Sequence, residues 1–364
     1  MQKIRNLAFA FLALVWLGLC VFAWCKPSQD ISDWERRKLV QMPELTVQNL
    51  LSGSFMTKFQ EYTLDQFPLR DGFRQGKSLF QYYALGQLDN NGIYLTEGHA
   101  AKLEYPLDKR SVENALEKFQ ALYDQYLEGT AENILMVVVP DKGYYLAEKN
   151  GYPAMDYAAL LEAVAAGTPW AEQLDITGLL TADSYYRTDT HWRQEAIVPV
   201  AQAVLGAFGA ENGDTFTEVA LERPFYGVYH GQAALPMAAE EMVYLTNGTL
   251  EACSVLHLDT GEVTQVYDAN MLDSRDQYDI FLSGAQPLLR LENPDATTDR
   301  ELIVFRDSFG SSLAPLLLQG YRWVTLIDTR YISPALLGDY VNFQGKDVLF
   351  LYSTLVLNGS AALK

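Results

Sequence analysis

The sequence predicts an α/β chain: a parallel sheet with helices on both faces, interrupted by a β-rich insertion and preceded by one transmembrane helix. Three observations carry this. The N-terminus is an unbroken apolar run behind two basic residues. Continuous apolar pieces ("NILMVVVP", "ELIVF", "KDVLFLYS") alternate with segments of helical spacing, the pattern of strands buried on both faces and joined by crossover helices. From about residue 213 to 300 this gives way to short alternating pieces such as "EMVYLTNGTL" and "SVLHLDTGEV", parted by turn dipeptides.

Lys3 and Arg5 precede an apolar stretch from Leu7 to Cys25. Roughly 20 such residues cross a bilayer. Basic flanks stay on the cytoplasmic side, so the remainder is expected outside. A cleaved signal peptide is the competing reading, but its apolar core is shorter, about 7–15 residues, and ends in small residues. This run ends in Phe22-Ala23-Trp24-Cys25, and neither Leu19 nor Trp24 is the small residue that a lipoprotein cysteine needs before it. The expectation is an uncleaved anchor over 1–25 and a stalk with a helical lead-in over 26–76. The α/β domain then fills 77–364, on the extracytoplasmic face of the membrane.

Within that domain "DNNGIYLTEGHAAKLEYP" reads as a hairpin, with His99 in a surface turn. Val112, Leu116, Phe119, Leu122 and Tyr126 recur at helical spacing. "YAALLEAVAAG" is a second helix, "AEQLDITGLL" a strand, and "RQEAIVPVAQAVLGAFGA" a long helix kinked at Pro199. In the insertion, His257 alternates with apolar residues and is expected exposed on a strand. His230 sits in the Gly-flanked aromatic stretch "FYGVYHGQ" and is a candidate cleft residue. After the insertion, "YRWVTLID" is a strand and "PALLGDYVNF" a helix.

The formal charge of −19 repels phosphates, so nucleic acid is not an expected partner. Cys20 and Cys25 lie in the apolar run, which leaves Cys253 alone outside, without a disulfide partner or a cysteine cluster for zinc. No cofactor or metal is expected.

Two short stretches carry chemistry. In "ELIVFRDSFGSS" a strand runs straight into Asp307-Ser308-Phe309-Gly310 and a helix, the geometry that raises a serine at a strand's C-terminal end on a helix N-terminus. Free amides there stabilise developing negative charge. In "YYRTDTHW" one of only four histidines stands two residues from Asp189. Taken singly, each stretch is an ordinary helix cap. Together they supply a nucleophile, Ser308, a base, His191, and a carboxylate, Asp189, to fix the base's tautomer. Asp307 reads as a turn-stabilising carboxylate. Arg187 and Arg330 could reach the same edge and bind an acidic sugar, or pair with acids such as Asp328.

"RTDTHW" followed by "FRDSFGSSLAP" resembles the DHHW family of bacterial surface proteins, related to alginate O-acetylation proteins and to SGNH hydrolases. The likeness runs from "NNGIYL" through "VVVPDKG" to "LIDTRYIS" and "DVLFLYS". It implies an SGNH-like, flavodoxin-like sheet and a Ser–His–Asp triad of Ser308, His191 and Asp189. Thr190 stands where the family name implies a second histidine, as in the alginate-type D-T-H-W. Arg306 stands where SGNH hydrolases carry the glycine of G-D-S, and either narrows the oxyanion site or gives it a cation. The implied function is O-acyl transfer, acetyl above all, or ester hydrolysis, on a cell-envelope polysaccharide. The implied partner is a multi-pass membrane acyltransferase that delivers the group. A glycan-binding or assembly protein that keeps the shell is the alternative, as is a secreted esterase.

Overall fold

Residues Gln2–Cys25 form one helix, α1, with no buried residue. It is long and apolar enough to cross a membrane. The computed structural model describes residues 2–211 and 213–364, which divide into two units. The first holds residues 2–91 with His230–Pro236. After α1 it contains α2 (Val47–Leu51), α3 (Ser54–Asp65) and α4 (Arg70–Leu79), which runs on into a π-turn, Phe80–Ala84. Thr46 caps α2 by accepting from the Asn49 amide at 3.1 Å. Two acids gather the arginines: Asp65 accepts from Arg37 at 2.6 and 2.8 Å, and Glu35 draws in Arg70 and Arg74. The 230–236 segment is tied in by Arg74, which donates to Gly231 O, and by Asn90, which donates to Ala233 O. It passes so close to Trp34 that a Cβ on Gly231 would stand 1.6 Å from the Trp34 carbonyl oxygen.

The second unit, Gly92–Tyr229 with Met237–Lys364, is built on eight strands. They are β1 (Asn133–Val139), β2 (Glu172–Gln173), β3 (Ser254–His257), β4 (Val263–Thr264), β5 (Leu288–Glu292), β6 (Glu301–Arg306), β7 (Trp323–Ile327) and β8 (Asp347–Ser353). Their order is β4-β3-β5-β7-β6-β8-β1-β2. The five from β7 to β2 run parallel, while β5, β3 and β4 add antiparallel at the edge. Every residue of β6 and β8 is buried, which is why these strands read as continuous apolar runs. Alternate residues feed opposite cores. Val137, Val304 and Leu349 face α7 (Val198–Ala207) and α8 (Gly310–Leu317), whereas Met136, Phe305 and Phe350 face α5 (Lys109–Leu122) and α6 (Tyr157–Gly167).

Several local expectations are corrected. Pro199 does not kink a helix; it occupies the first turn of α7, where a missing N–H has no partner to lose. The strand expected in "AEQLDITGLL" shrinks to β2, because the Asp175 carboxylate accepts from the Thr177 amide at 2.8 Å and starts a 3-10 turn. "PALLGDYVNF" forms only a 3-10 turn, Pro334–Asp339. His99 is buried, not in an open turn: it begins the second strand of its hairpin, with Nε2 3.3 Å from Asp183. His257 is buried too, since β3, β4 and β5 extend the main sheet, and its Nε2 lies 3.1 Å from Thr264 Oγ1.

Phe305 is fully buried at the centre of the sheet, stacked on Phe350. Phe305→Ala should lower the stability of this unit by about 3–5 kcal/mol in chemical denaturation.

Candidate active site

The "YYRTDTHW" segment is a tight loop. Tyr185 pairs with Trp192 in an antiparallel bridge, and the Tyr186 amide donates to His191 O at 3.1 Å. Its tip is held from several sides. Lys142 donates to the carbonyls of Tyr186 and Arg187 at 3.0 and 3.2 Å, and the Ala100 amide donates to Arg187 O at 2.7 Å. Glu240 accepts from the amides of Arg187 and Thr188 and from the Thr188 hydroxyl, at 2.5–2.7 Å. The Gly227 amide donates to Thr188 Oγ1 at 2.9 Å.

This clamp places Asp189, which has no solvent exposure. Its Oδ1 accepts from the His191 amide at 3.0 Å and lies 2.7 Å from Nδ1 of the same residue. Its Oδ2 accepts from the Val228 amide at 2.7 Å. A carboxylate so bonded only accepts, so His191 carries its proton on Nδ1 and turns the Nε2 lone pair outward. Gly227 lets the Val228 amide come this close: a Cβ there would stand 2.4 Å from Asp189 Cα.

The second loop leaves β6 at Arg306. Asp307 Oδ1 accepts from the Phe309 amide at 3.0 Å, and Oδ2 accepts from the Ser353 amide at the end of β8 at 2.7 Å. Asp307 therefore stabilises the turn and ties it to the neighbouring strand. Ser308 is the only residue from Glu301 to Leu318 that is not buried. Its Oγ lies 2.8 Å from His191 Nε2. Asp189, His191 and Ser308 thus form one hydrogen-bonded line at the carboxyl end of the parallel strands, where open α/β sheets place their ligands.

Side chains that the sequence reading did not single out join the two loops. Trp192 Nε1 donates to Ser312 Oγ at 2.9 Å, and the Tyr278 hydroxyl donates to the same oxygen at 2.7 Å. The Tyr278 ring stacks on His191, centroids 4.0 Å apart and planes 7° from parallel. Burial pushes the Tyr278 phenol well above its ordinary range, which keeps it a neutral donor. Gln194 spans the same contact, donating to Ser312 O at 2.8 Å and accepting from the Leu245 amide at 2.7 Å.

The four remaining candidates lie elsewhere. Arg187 is exposed on the loop tip. Arg306 is buried: it donates to Ser311 Oγ at 3.1 Å and to Gln286 O, and lies 3.7 Å from Asp328. A Cβ on Gly310 would meet its Cβ at 2.8 Å. Arg330 forms a two-pronged ion pair with Asp328 at 2.6 and 2.9 Å. His230 belongs to the other unit, where it stacks on Trp34 at 5.2 Å, and burial lowers its proton affinity.

Two predictions follow from the clamp. Gly227→Ala should destabilise the fold by about 1–3 kcal/mol and weaken the low-field His191 Nδ1 proton signal in NMR, because the new methyl displaces Asp189. Burial pushes the Lys142 ammonium down to about 7. The unfolded chain then binds the extra proton between about pH 7 and the ordinary lysine value, so this group's contribution to stability rises with pH across that window. Denaturation midpoints should rise from pH 7 to 9 more steeply in the wild type than in Lys142→Met.

By sequence the chain matches no protein-family profile and no curated protein. By structure it is similar to a DHHW family protein from Eubacterium siraeum: 20% identity, TM-score 0.58, 75% of this chain and 94% of the other covered. It is also similar to Bacillus cereus PatB1 with a sulfonyl adduct: 18% identity, TM-score 0.56, 73% and 95% covered. A weaker likeness, 15% identity and TM-score 0.46 over 73% and 92%, is to the O-acetyltransferase domain of Pseudomonas putida AlgJ. The chain has the SGNH-like α/β fold that it shares with a DHHW family protein.

Proposed function

We propose that this chain is an extracytoplasmic acyl-ester enzyme that moves an acyl group, acetyl first of all, to a hydroxyl of a cell-envelope polysaccharide. The observation that carries the reading is the line from Asp189 through His191 to Ser308, at 2.7 and 2.8 Å. In this reading Ser308 Oγ attacks the acyl carbonyl while its proton passes to His191 Nε2, and Asp189 stabilises the imidazolium. The donor's alkoxide leaves with that proton, and the acyl group stays on Ser308. A sugar hydroxyl then gives its proton to Nε2 and attacks the acyl-serine, which restores the Ser308 hydroxyl. Water in place of the sugar gives hydrolysis.

Negative charge on the tetrahedral intermediate needs a donor. Among the described residues nothing accepts a hydrogen bond from the Ser308 amide, whereas those of Phe309, Gly310 and Ser311 bond back within the turn. This makes the Ser308 N–H our candidate for the oxyanion. Helix α1 would hold the enzyme at the outer membrane face, where a multi-pass membrane acyltransferase, implied by the resemblance, would supply the acyl group. The sulfonyl adduct borne by PatB1 supports a direct probe here, because sulfonyl fluorides react with activated hydroxyls. A second reading, glycan binding without turnover, draws support from exposed Tyr226, Tyr331 and Tyr340, whose rings could stack on sugars.

The deciding experiment follows acetate release from an activated aryl acetate. Ser308→Ala and His191→Ala should each lower kcat by about 10³–10⁶-fold with circular dichroism unchanged, and a sulfonyl fluoride should label the wild type at Ser308 alone. Glycan affinity unaltered by Ser308→Ala, in a wild type with neither turnover nor labelling, would leave the binding role.

A further inference from the structure

The first unit carries an apolar surface that no part of the proposed chemistry uses. Phe73, Phe80 and Tyr83 recur at helical spacing along α4 and its π-turn, with Leu69 just before them, and all four are more than half exposed. Four large side chains in one stripe, left open to water, mark an interaction surface.

Two independent observations name what covers it. The first is position. Lys3 and Arg5 place the C-terminal half of α1 toward the outer leaflet. That half lies beside α3, across a cleft lined by Trp16, Leu19, Phe59, Tyr62 and Phe67. Phe67 in turn meets Phe73 of α4 edge-on at 5.3 Å. The stripe is therefore two short steps from the C-terminal half of α1. The second is charge. Residues 26–91 hold eight basic and eight acidic side chains, whereas residues 92–364 hold 17 basic and 38 acidic. The acidic excess that would repel an anionic membrane is confined to the latter segment, and the segment bearing the stripe is neutral.

We propose that α4 and its π-turn lie on the outer leaflet of the bilayer that α1 spans, with Leu69, Phe73, Phe80 and Tyr83 set among the acyl chains. The contact belongs to the class of interfacial helices, held by apolar area and backed by polar residues on the other side; here Arg70 and Arg74 are turned to Glu35. It would fix the height of the chain above the membrane and is independent of any chemistry at Ser308.

The test uses the full chain with Cys20→Ala and Cys25→Ala; Cys253 is buried. A polarity-sensitive fluorophore is placed at Phe80→Cys, with exposed Glu128→Cys as control, in nanodiscs holding one copy each. The Phe80 label should emit at shorter wavelength and be quenched by lipid-borne nitroxide, the Glu128 label should do neither, and Phe73→Asp with Tyr83→Asp should return the Phe80 label to water. A water-exposed Phe80 label overturns the proposal, and so does failure of the chain to enter the discs. Shielding that appears only with two or more copies per disc overturns it in favour of self-association.

Discussion

The second unit's candidate site depends on one buried carboxylate. Asp189 has no exposed surface, and an unpaired charge there would be costly. N–H groups of His191 and Val228 meet it. That requirement dictates much of the surroundings. The Val228 amide arrives only because Gly227 has no side chain, and the loop keeps its shape because Lys142 and Glu240 bind opposite polarities of its backbone. The acid orients the histidine, and the histidine then has one nitrogen left, the one that faces Ser308.

Orientation of His191 alone would not set its distance to Ser308. The Ser312 hydroxyl does, by accepting from Trp192 on one loop and from Tyr278 on another while it rides on the helix that follows Ser308. Trp192 is next to His191, and Ser312 is one turn from Ser308. A contact between those neighbours fixes the spacing of the two residues that matter, and Tyr278 closes over the imidazole face. Such packing holds groups in place before any substrate arrives, which is where electrostatic assistance gains most.

The sheet and the three aligned residues were legible because their signals are local. Buried parallel strands show as apolar runs, and a turn between strand and helix shows as Asp307-Ser308-Phe309-Gly310. Tyr278 and Gly227 were not legible, since each acts on a residue dozens of positions away. His99 and His257 misled for the same reason. Their neighbours suggest a turn and an exposed strand, but burial is decided by the partners at Asp183 and in β5. Pro199 was ambiguous by nature, because proline suits a helix's first turn as well as a kink.

Arg306 bears on how the site would handle negative charge. Standing one residue before Asp307, it could aim a cation at an oxyanion. Instead the guanidinium turns inward to Ser311, Gln286 and Asp328, and Gly310 leaves room for its stem. Burial also lowers its proton affinity, and the Asp328 carboxylate beside it works against that loss. Arg306 and Arg330 both lean on Asp328, while Asp307 spends both oxygens on amides. The arginine is thus a brace beneath the turn, already engaged before a substrate arrives. On the proposed reading, stabilisation of an oxyanion falls to backbone dipoles at the start of α8, and first to the Ser308 amide, whose position is fixed by the same turn that raises the hydroxyl.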